Sequence, residues 1–160
     1  MNHVRVVGGA LLFIAGFMIC SFLTSGYPVR YPFSFNDNAV LSPSDSISID
    51  DIELYEDKLV INQEGLMYAK IENTHSMEPV LNHVSTSIEQ KPTTPDDLAV
   101  GDIISYRLEF SDKIIIHRIA AIGIDNEGWF AITKGDNNQE ADSEKVRFNQ
   151  IEGKVVGIIY

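Results

Sequence analysis

The chain has 160 residues, 23 of them Asp or Glu and 12 Lys or Arg, for a net charge of −11 at pH 7. This length leaves room for one compact domain, and the acidity argues against nucleic acid as a partner and against a flat association with an anionic membrane surface. Cys20 is the only cysteine, which excludes an internal disulfide.

An apolar run near the N-terminus predicts a membrane anchor. Residues 6–23 are 18 consecutive residues without a charge. At about 1.5 Å per residue, a helix over them spans roughly 27 Å, close to the hydrocarbon thickness of a bilayer, so we expect it to contact lipid. The apolar region of a cleaved signal peptide is usually only about 7–15 residues long. A retained anchor over residues 1–26 is therefore the favoured interpretation, with cleavage near residues 24–26 as the alternative. Arg5 precedes the run, and the positive-inside rule then places the N-terminus in the cytoplasm and the following domain on the outer side of the cell membrane.

The rest of the chain predicts a linker followed by a β domain. Residues 27–48 are rich in Pro, Ser, Asn and Asp and lack periodicity, as is typical of a linker. Residues 49–160 consist of short β-type runs between turn residues. The runs that predict strands lie at 52–55, 59–61, 66–71, 103–110, 114–122, 129–133 and 155–160. We expect a mainly β fold, a meander that closes into a small sandwich or barrel.

Ser76 lies in a stiff loop. In the Ser-Met-Glu-Pro stretch at residues 76–79, Pro79 fixes its own φ and biases Glu78 towards extended geometry. Such a loop can hold a hydroxyl in one place, and we expect Met77 either to pack inward or to line an apolar cleft. A serine beside a proline turn is common, so Ser76 gains its meaning from two later features of the chain.

A histidine and two aspartates are those features. His117 interrupts the apolar run 114–122, where an imidazole needs a hydrogen-bond partner. It is either a core histidine bonded to a backbone carbonyl or a neutral base towards Ser76 whose other nitrogen is held by a carboxylate. Asp136, in a Gly-Asp-Asn-Asn turn, and Asp142 are the candidate carboxylates, and the sequence leaves open which one matters more. A nucleophile, a base and a group that orients the base are the three parts of a serine hydrolase.

The remaining polar residues do not predict a metal site. The Asp-rich turn lacks the ligand spacing of an EF-hand loop. His3, His75 and His83 do not form a ligand set, and His75 should point away from Ser76 if the chain there is extended. No metal or cofactor is expected.

Four stretches resemble the signal peptidase I family in family order. They lie at residues 76–79, 100–104, 116–119 and 133–138, the last with Asp142 six residues after Asp136. The bacterial branch of that family has lysine where His117 stands before Arg118, so the chain resembles the archaeal and endoplasmic-reticulum branch more closely. It departs from the family pattern at residues 80–84, where a Gly-Asp pair usually follows the first stretch.

The resemblance implies a small signal-peptidase-like β domain behind one transmembrane helix, and hydrolysis of signal peptides from exported preproteins without a cofactor. It implies that Ser76 is the nucleophile and His117 the general base, with Asp142 and Asp136 as supporting carboxylates. Thr74 and the Ser76 N–H would form the oxyanion hole, with Met77 beside the substrate. The substrate would lie as an extended strand along a sheet edge. Protein export machinery is an implied partner.

Two alternatives differ from this interpretation. A self-cleaving relative of the repressor type has a related fold but depends on a lysine base at the position of His117. A membrane-anchored β domain that binds or scaffolds without catalysis has the same residues, because the sequence alone does not supply their distances.

Overall fold

The computed structural model describes residues 41–109 and 112–160. This part of the chain is mainly β, as predicted. The strands are β1 (Ile52–Leu54), β2 (Leu59–Ile61), β3 (Leu66–Lys70), β4 (Thr86–Gln90), β5 (Ile103–Arg107), β6 (Ile114–Asp125), β7 (Gly128–Lys134), β8 (Lys145–Arg147) and β9 (Ile151–Ile159). Three single-turn 3₁₀ helices lie at Ile49–Asp51, Pro95–Asp97 and Phe148–Gln150.

Seven strands form one antiparallel sheet, in the order β3-β4-β9-β5-β6-β7-β8, and β1 and β2 form a separate hairpin. The run from β5 to β8 is the expected meander. The last strand departs from it, because β9 lies between β4 and β5 and pairs with both. The outer strands of the sheet are β3 and β8.

The sequence missed β4 and β8, each for an identifiable reason. On β4 the buried positions are Ser87 and Glu89, so the strand buries its polar residues and shows no apolar alternation. Glu89 is satisfied there because the hydroxyls of Ser87 and Ser105 donate to its two carboxylate oxygens at 2.7 and 2.6 Å. Strand β8 has only three residues, too few for a periodicity to be recognised.

The hydrophobic core covers both faces of β5. Ile104 and Tyr106 belong to one buried cluster and Ile103 to another, as expected when successive strand residues point to opposite faces. The first cluster comprises Leu98, Ile104, Tyr106, Ile119, Ala131, Val146 and Ile151. The second comprises Met77, Leu81, Ile103 and Val155. Burial of each large aliphatic side chain contributes about 1.5–3 kcal/mol to the stability of the fold.

The described end of the predicted linker contacts the β domain. The backbone N–H and the hydroxyl of Ser44 donate to Asp102 Oδ1 at 2.7 and 2.8 Å. Gly101 lies against the same segment with a φ of +105°, and a Cβ there would be 2.3 Å from the carbonyl oxygen of Ser42. Only glycine fits both the backbone conformation and the space.

The predicted anchor at residues 6–23 and most of the predicted linker lie outside the described residues. Within residues 41–109 and 112–160, no helix has the length and apolar character needed to span a bilayer.

Candidate active site

Ser76 lies in the loop that follows β3. It is partly exposed, and its hydroxyl oxygen is 3.2 Å from Thr74 Oγ1. The next residue, Met77, is only 3% exposed and packs in the second core cluster with Leu81 and Ile103. Met77 therefore packs inward, the first of the two arrangements expected for it, and this burial anchors the serine loop to the sheet. Its role towards a substrate remains a prediction.

The chain turns sharply just before Ser76. His75 has a φ of +62°, in the left-handed region that is uncommon for residues other than glycine. Its ring Nδ1 is 2.9 Å from Glu78 Oε1, and its carbonyl accepts a hydrogen bond from Asn137 Nδ2 at 3.0 Å. The expectation of extended chain at His75 and Ser76 is thus wrong, because contacts at both ends of the turn stabilise a bent backbone.

The Gly-Asp-Asn-Asn turn packs directly against the serine loop. The backbone N–H of Asn137 donates to the carbonyl oxygen of Ser76 at 2.9 Å. A Cβ at Gly135 would lie 2.6 Å from that same oxygen, so the absence of a side chain at this position permits the approach. Two segments separated by nearly sixty residues therefore meet at Ser76.

His117 is bonded to a carboxylate rather than to a backbone carbonyl. It lies on β6 opposite Ile104, and its Nδ1 is 2.7 Å from Asp142 Oδ2. The side chains of His117 and Asp142 are 11% and 24% exposed. An ionised carboxylate can only accept, so Nδ1–H is the donor, and in a neutral imidazole the lone pair then lies on Nε2. The partner of Nδ1 is therefore the carboxylate expected for a base, and the role of His117 towards Ser76 remains a prediction.

Two further hydroxyls contact Asp142, and sequence reasoning missed both. Thr133 Oγ1 donates to Asp142 Oδ2 at 2.6 Å, and the hydroxyl of Tyr106 donates to the same oxygen at 3.1 Å. Burial, above all, raises the pKa of Tyr106 far above its usual range, so its phenol remains a donor. The one sequence signal was that Thr133 places a hydroxyl at the end of the apolar run 129–132.

Asp136 binds a different partner. Its two carboxylate oxygens accept from Nε and Nη2 of Arg118 at 2.8 and 2.7 Å, a two-point ion pair with side chains 5% and 9% exposed. Arg118 Nη1 also donates to the carbonyl oxygens of Gly101 and Leu41 at 2.8 and 3.1 Å. Asp142, rather than Asp136, is therefore the carboxylate in contact with His117.

The turn at residues 135–138 links the serine loop to the strand that carries His117. Asn137 binds the Ser76 backbone, and the adjacent Asp136 binds Arg118, the residue after His117. Among the described residues, no hydrogen bond joins Ser76 Oγ to the imidazole; such contacts are often long in unliganded enzymes and tighten when substrate binds. The described residues contain no buried side-chain nitrogen or oxygen without a partner.

Within residues 41–109 and 112–160, no group of three or more His, Cys, Asp and Glu side chains is arranged to hold a metal ion.

These features define a mainly antiparallel β domain in which a glycine turn contacts both a serine loop and the strand that carries a carboxylate-bonded histidine. Among known proteins, the chain is similar to "Signal peptidase I W" of Bacillus subtilis (strain 168), with 32% identity over 82 residues. The match covers 51% of this chain and 43% of that relative, so the chain spans less than half of the relative's length. No protein-family model matches the chain. The similarity supports a signal peptidase I-like relationship.

Proposed function

We propose that this protein is a membrane-anchored serine endopeptidase that removes signal peptides from exported preproteins. The observation that carries the proposal is the 2.7 Å contact between His117 Nδ1 and Asp142 Oδ2, beside a loop that presents Ser76. The similarity to a signal peptidase I supplies the class of reaction. A hydroxyl, an imidazole and a partly buried carboxylate in this order match the chemical needs of acyl transfer.

In the proposed mechanism, the Ser76 hydroxyl attacks the carbonyl carbon of the scissile peptide bond. His117 Nε2 accepts the Ser76 proton and later gives it to the leaving amine, while Asp142 stabilises the imidazolium through Nδ1–H. Water then hydrolyses the acyl-enzyme, with His117 acting again as the base. Asp136 acts at a distance, because its ion pair with Arg118 fixes the turn that contacts Ser76.

The oxyanion of the tetrahedral intermediate would be bound by the backbone N–H of Ser76 and the hydroxyl of Thr74. The 3.2 Å separation of Thr74 Oγ1 and Ser76 Oγ supports this assignment, because a donor must lie close to the nucleophile to reach the oxyanion. The side chain of Thr74 is exposed, so it is free to rotate towards a bound substrate.

The substrate would bind as an added strand beside β3. This strand is an outer strand of the sheet and leads directly into the serine loop. An extended peptide would gain backbone hydrogen bonds along its free edge, and Met67 and Tyr68, 47% and 80% exposed, would contact alternate side chains. Burial of Met77 beneath the loop would keep Ser76 at the end of this groove.

The family branch and the membrane location of the protein belong to the same proposal. As part of the proposal, a histidine base would assign the protein to the archaeal and endoplasmic-reticulum branch of the signal peptidase I family, with its small β barrel or sandwich. Residues 6–23 would anchor the chain in the cell membrane with the catalytic domain on the outer side, near the protein export machinery and its preproteins. Anchoring would raise the effective concentration of the enzyme at its membrane-bound substrate.

The test is cleavage of a membrane-inserted preprotein by the full chain in liposomes, compared with Ser76→Ala, His117→Ala and Asp142→Asn. We expect losses of about 10⁴-fold or more in rate for each variant, as for other members of such triads. Ser143→Ala is the matched control: Ser143 is exposed beside Asp142 and makes no hydrogen bond within the described residues, so full activity is expected.

Each outcome separates the competing interpretations. Cleavage that survives Ser76→Ala would refute Ser76 as the nucleophile. Absence of cleavage by the unmodified chain on a panel of preproteins would favour the non-catalytic β domain. In that case the three variants should bind a partner as well as the unmodified chain does.

A further inference from the structure

Three hydrogen-bond donors converge on a single oxygen of Asp142. His117 Nδ1 lies 2.7 Å from Oδ2, Thr133 Oγ1 lies 2.6 Å from it and the Tyr106 hydroxyl 3.1 Å. The donors come from three adjacent strands, β6, β7 and β5. The backbone N–H of Asp142 also donates to the carbonyl oxygen of Thr133 at 2.8 Å, which fixes the main chain of Asp142 beside the end of β7.

Counting hydrogens fixes the direction of each bond. A hydroxyl has one hydrogen, and the short contact directs that of Thr133 to Asp142. Thr133 then accepts from Tyr106, whose hydroxyl is 3.1 Å from both Thr133 Oγ1 and Asp142 Oδ2 and shares its hydrogen between them. Thr133 and Tyr106 are 0% and 1% exposed, so water does not compete for these bonds.

We propose that Thr133 and Tyr106 are positioning residues, which orient the Asp142 carboxylate so that His117 keeps its proton on Nδ1 and presents the lone pair of Nε2 to Ser76. This inference deepens the proposed function and rests on it. Neither hydroxyl touches the reacting atoms. Both act through Asp142, which on its own could rotate about its side-chain bonds and lose the bond to His117, since its side chain is 24% exposed.

The arrangement suits a base that must work in one tautomer. If the carboxylate turns away, the imidazole loses the partner that selects Nδ1–H, and the fraction of molecules with a free Nε2 lone pair falls. The hydroxyl bonds also stabilise the ionised carboxylate, which must support a positive imidazolium when His117 has taken the serine proton. A residue that acts in this way should change kcat and leave substrate binding unchanged.

Thr133→Val and Thr133→Ser form a matched pair that separates hydrogen bonding from packing. Valine keeps the shape and removes the hydroxyl, while serine keeps the hydroxyl and removes a methyl group. We expect Thr133→Val to lower kcat by about tenfold to a hundredfold with KM within about twofold, equivalent to one hydrogen bond to a charged group. The kcat of Thr133→Ser should remain within about threefold of that of the unmodified chain, because the loss of one methyl group causes only a small packing defect.

Tyr106→Phe provides an independent test at the second hydroxyl, because the ring stays in the core and only the oxygen is lost. We expect Tyr106→Phe to lower kcat by less than Thr133→Val does, because the Tyr106 hydroxyl lies farther from Asp142 than the Thr133 hydroxyl does. The double variant should lose less than the product of the two single effects, since both hydroxyls act on the same oxygen.

A spectroscopic measurement tests the inference without turnover. The full chain carrying Ser76→Ala is prepared in detergent micelles with ¹⁵N-labelled histidine, and the His117 signals are identified by their absence from the variant that also carries His117→Ala. We expect the nitrogen shifts of an Nδ1–H tautomer and a low-field Nδ1–H proton, retained in Thr133→Ser and displaced in Thr133→Val and Tyr106→Phe.

The outcomes distinguish this inference from the proposed function. If Thr133→Val has normal kinetics and normal His117 signals while Thr133→Ser is impaired, Thr133 acts by packing and the inference is wrong. If the His117 signals respond as expected but the unmodified chain cleaves no preprotein, the positioning of His117 stands and the peptidase assignment fails. If cleavage depends on Ser76 and His117 but is unchanged when the hydroxyl of Thr133 or Tyr106 is removed, the peptidase assignment stands and the positioning role fails.

Discussion

Arg118 and Asp136 form a two-point ion pair, with Nε–Oδ1 and Nη2–Oδ2 distances of 2.8 and 2.7 Å. Both side chains are almost fully buried, and the third nitrogen of the guanidinium binds the carbonyl oxygens of Gly101 and Leu41. The pair therefore joins the turn beside Ser76 to the strand that carries His117 and to residue 41 at the start of the described domain. Arginine suits this position because its planar fork matches a carboxylate at two points and still has donors to spare.

Removal of Asp136 should affect stability more than removal of Asp142. Asp136→Ala leaves the Arg118 charge buried without its partner, which is expected to cost about 3–5 kcal/mol in the free energy of unfolding. Asp142→Ala removes a more exposed side chain and should cost less, yet it should abolish activity. Chemical denaturation of both variants, paired with the cleavage assay, checks this contrast. Equal losses in the free energy of unfolding would contradict the expectation that Asp136 contributes more to stability than Asp142.

Gly135→Ala should lower activity by displacing the serine loop. The added Cβ would lie 2.6 Å from the carbonyl oxygen of Ser76, so either the turn or the loop must move and the hydrogen bond from Asn137 must lengthen. A shift of this size at a nucleophile is expected to cost on the order of 10²-fold in kcat. Gly157→Ala is the control, because a Cβ there meets only ordinary contacts of 3.4 Å and longer. Full activity of Gly135→Ala would show that the contact between turn and loop does not position Ser76.

The buried pair of Asp102 and Lys154 should stabilise the fold and retain the segment that contains Ser44. Asp102 is fully buried, lies 3.1 Å from Lys154 Nζ and accepts two hydrogen bonds from Ser44. Asp102→Ala leaves a largely buried lysine unpaired and should cost about 3–5 kcal/mol. It should also make the chain near Ser44 more accessible to proteases, which limited proteolysis with mass spectrometry would detect.

The exposed ion pairs of Glu152 with Lys91 and Arg107 provide the comparison for Asp102→Ala. Their side chains are all at least 41% exposed, so Glu152→Ala should change stability by only about 0–1 kcal/mol. A large effect of Glu152→Ala, or a small effect of Asp102→Ala, would contradict the expectation that burial decides how much an unpaired charge destabilises this fold.

Asp125 should make stability depend on acid pH. Hydrogen bonds from Arg147 and then Lys145 lower the pKa of Asp125 well below its usual range. The charged form of Asp125 is thus favoured in the folded chain. Its contribution to the free energy of unfolding is present above the ordinary aspartate pKa of about 4 and is lost as the pH falls further. Thermal unfolding should show Asp125→Asn melting below the unmodified chain at pH 7, with the difference shrinking below about pH 4 and in high salt. The control is Asp57→Asn, at an exposed hairpin turn, which should melt with the unmodified chain at pH 7.

The strands that the sequence predicted well are those with local hydrophobic signals. Strands β5, β6 and β7 follow apolar runs bounded by turn residues, and their observed bounds differ from the predicted ones by only a few residues. Strand β4 was missed because its buried side chains, Ser87 and Glu89, are polar, and Glu89 finds a partner in Ser105 on β5, which is distant in the sequence. The position of β9 in the middle of the sheet was missed because strand order depends on long-range pairing.

The sequence by itself determined the β class of this domain, the stiff loop at Ser76 and the candidate residues Ser76, His117, Asp136 and Asp142, because apolar patterning and turn chemistry are local properties. Only the tertiary structure decided that Asp142 binds His117 and Asp136 binds Arg118. The reason is geometric: both aspartates follow β7 within a few residues, and which partner each one meets depends on how the turn folds back across β6. The same holds for Tyr106 and Thr133, whose hydroxyls meet at Asp142 only because β5, β6 and β7 lie side by side.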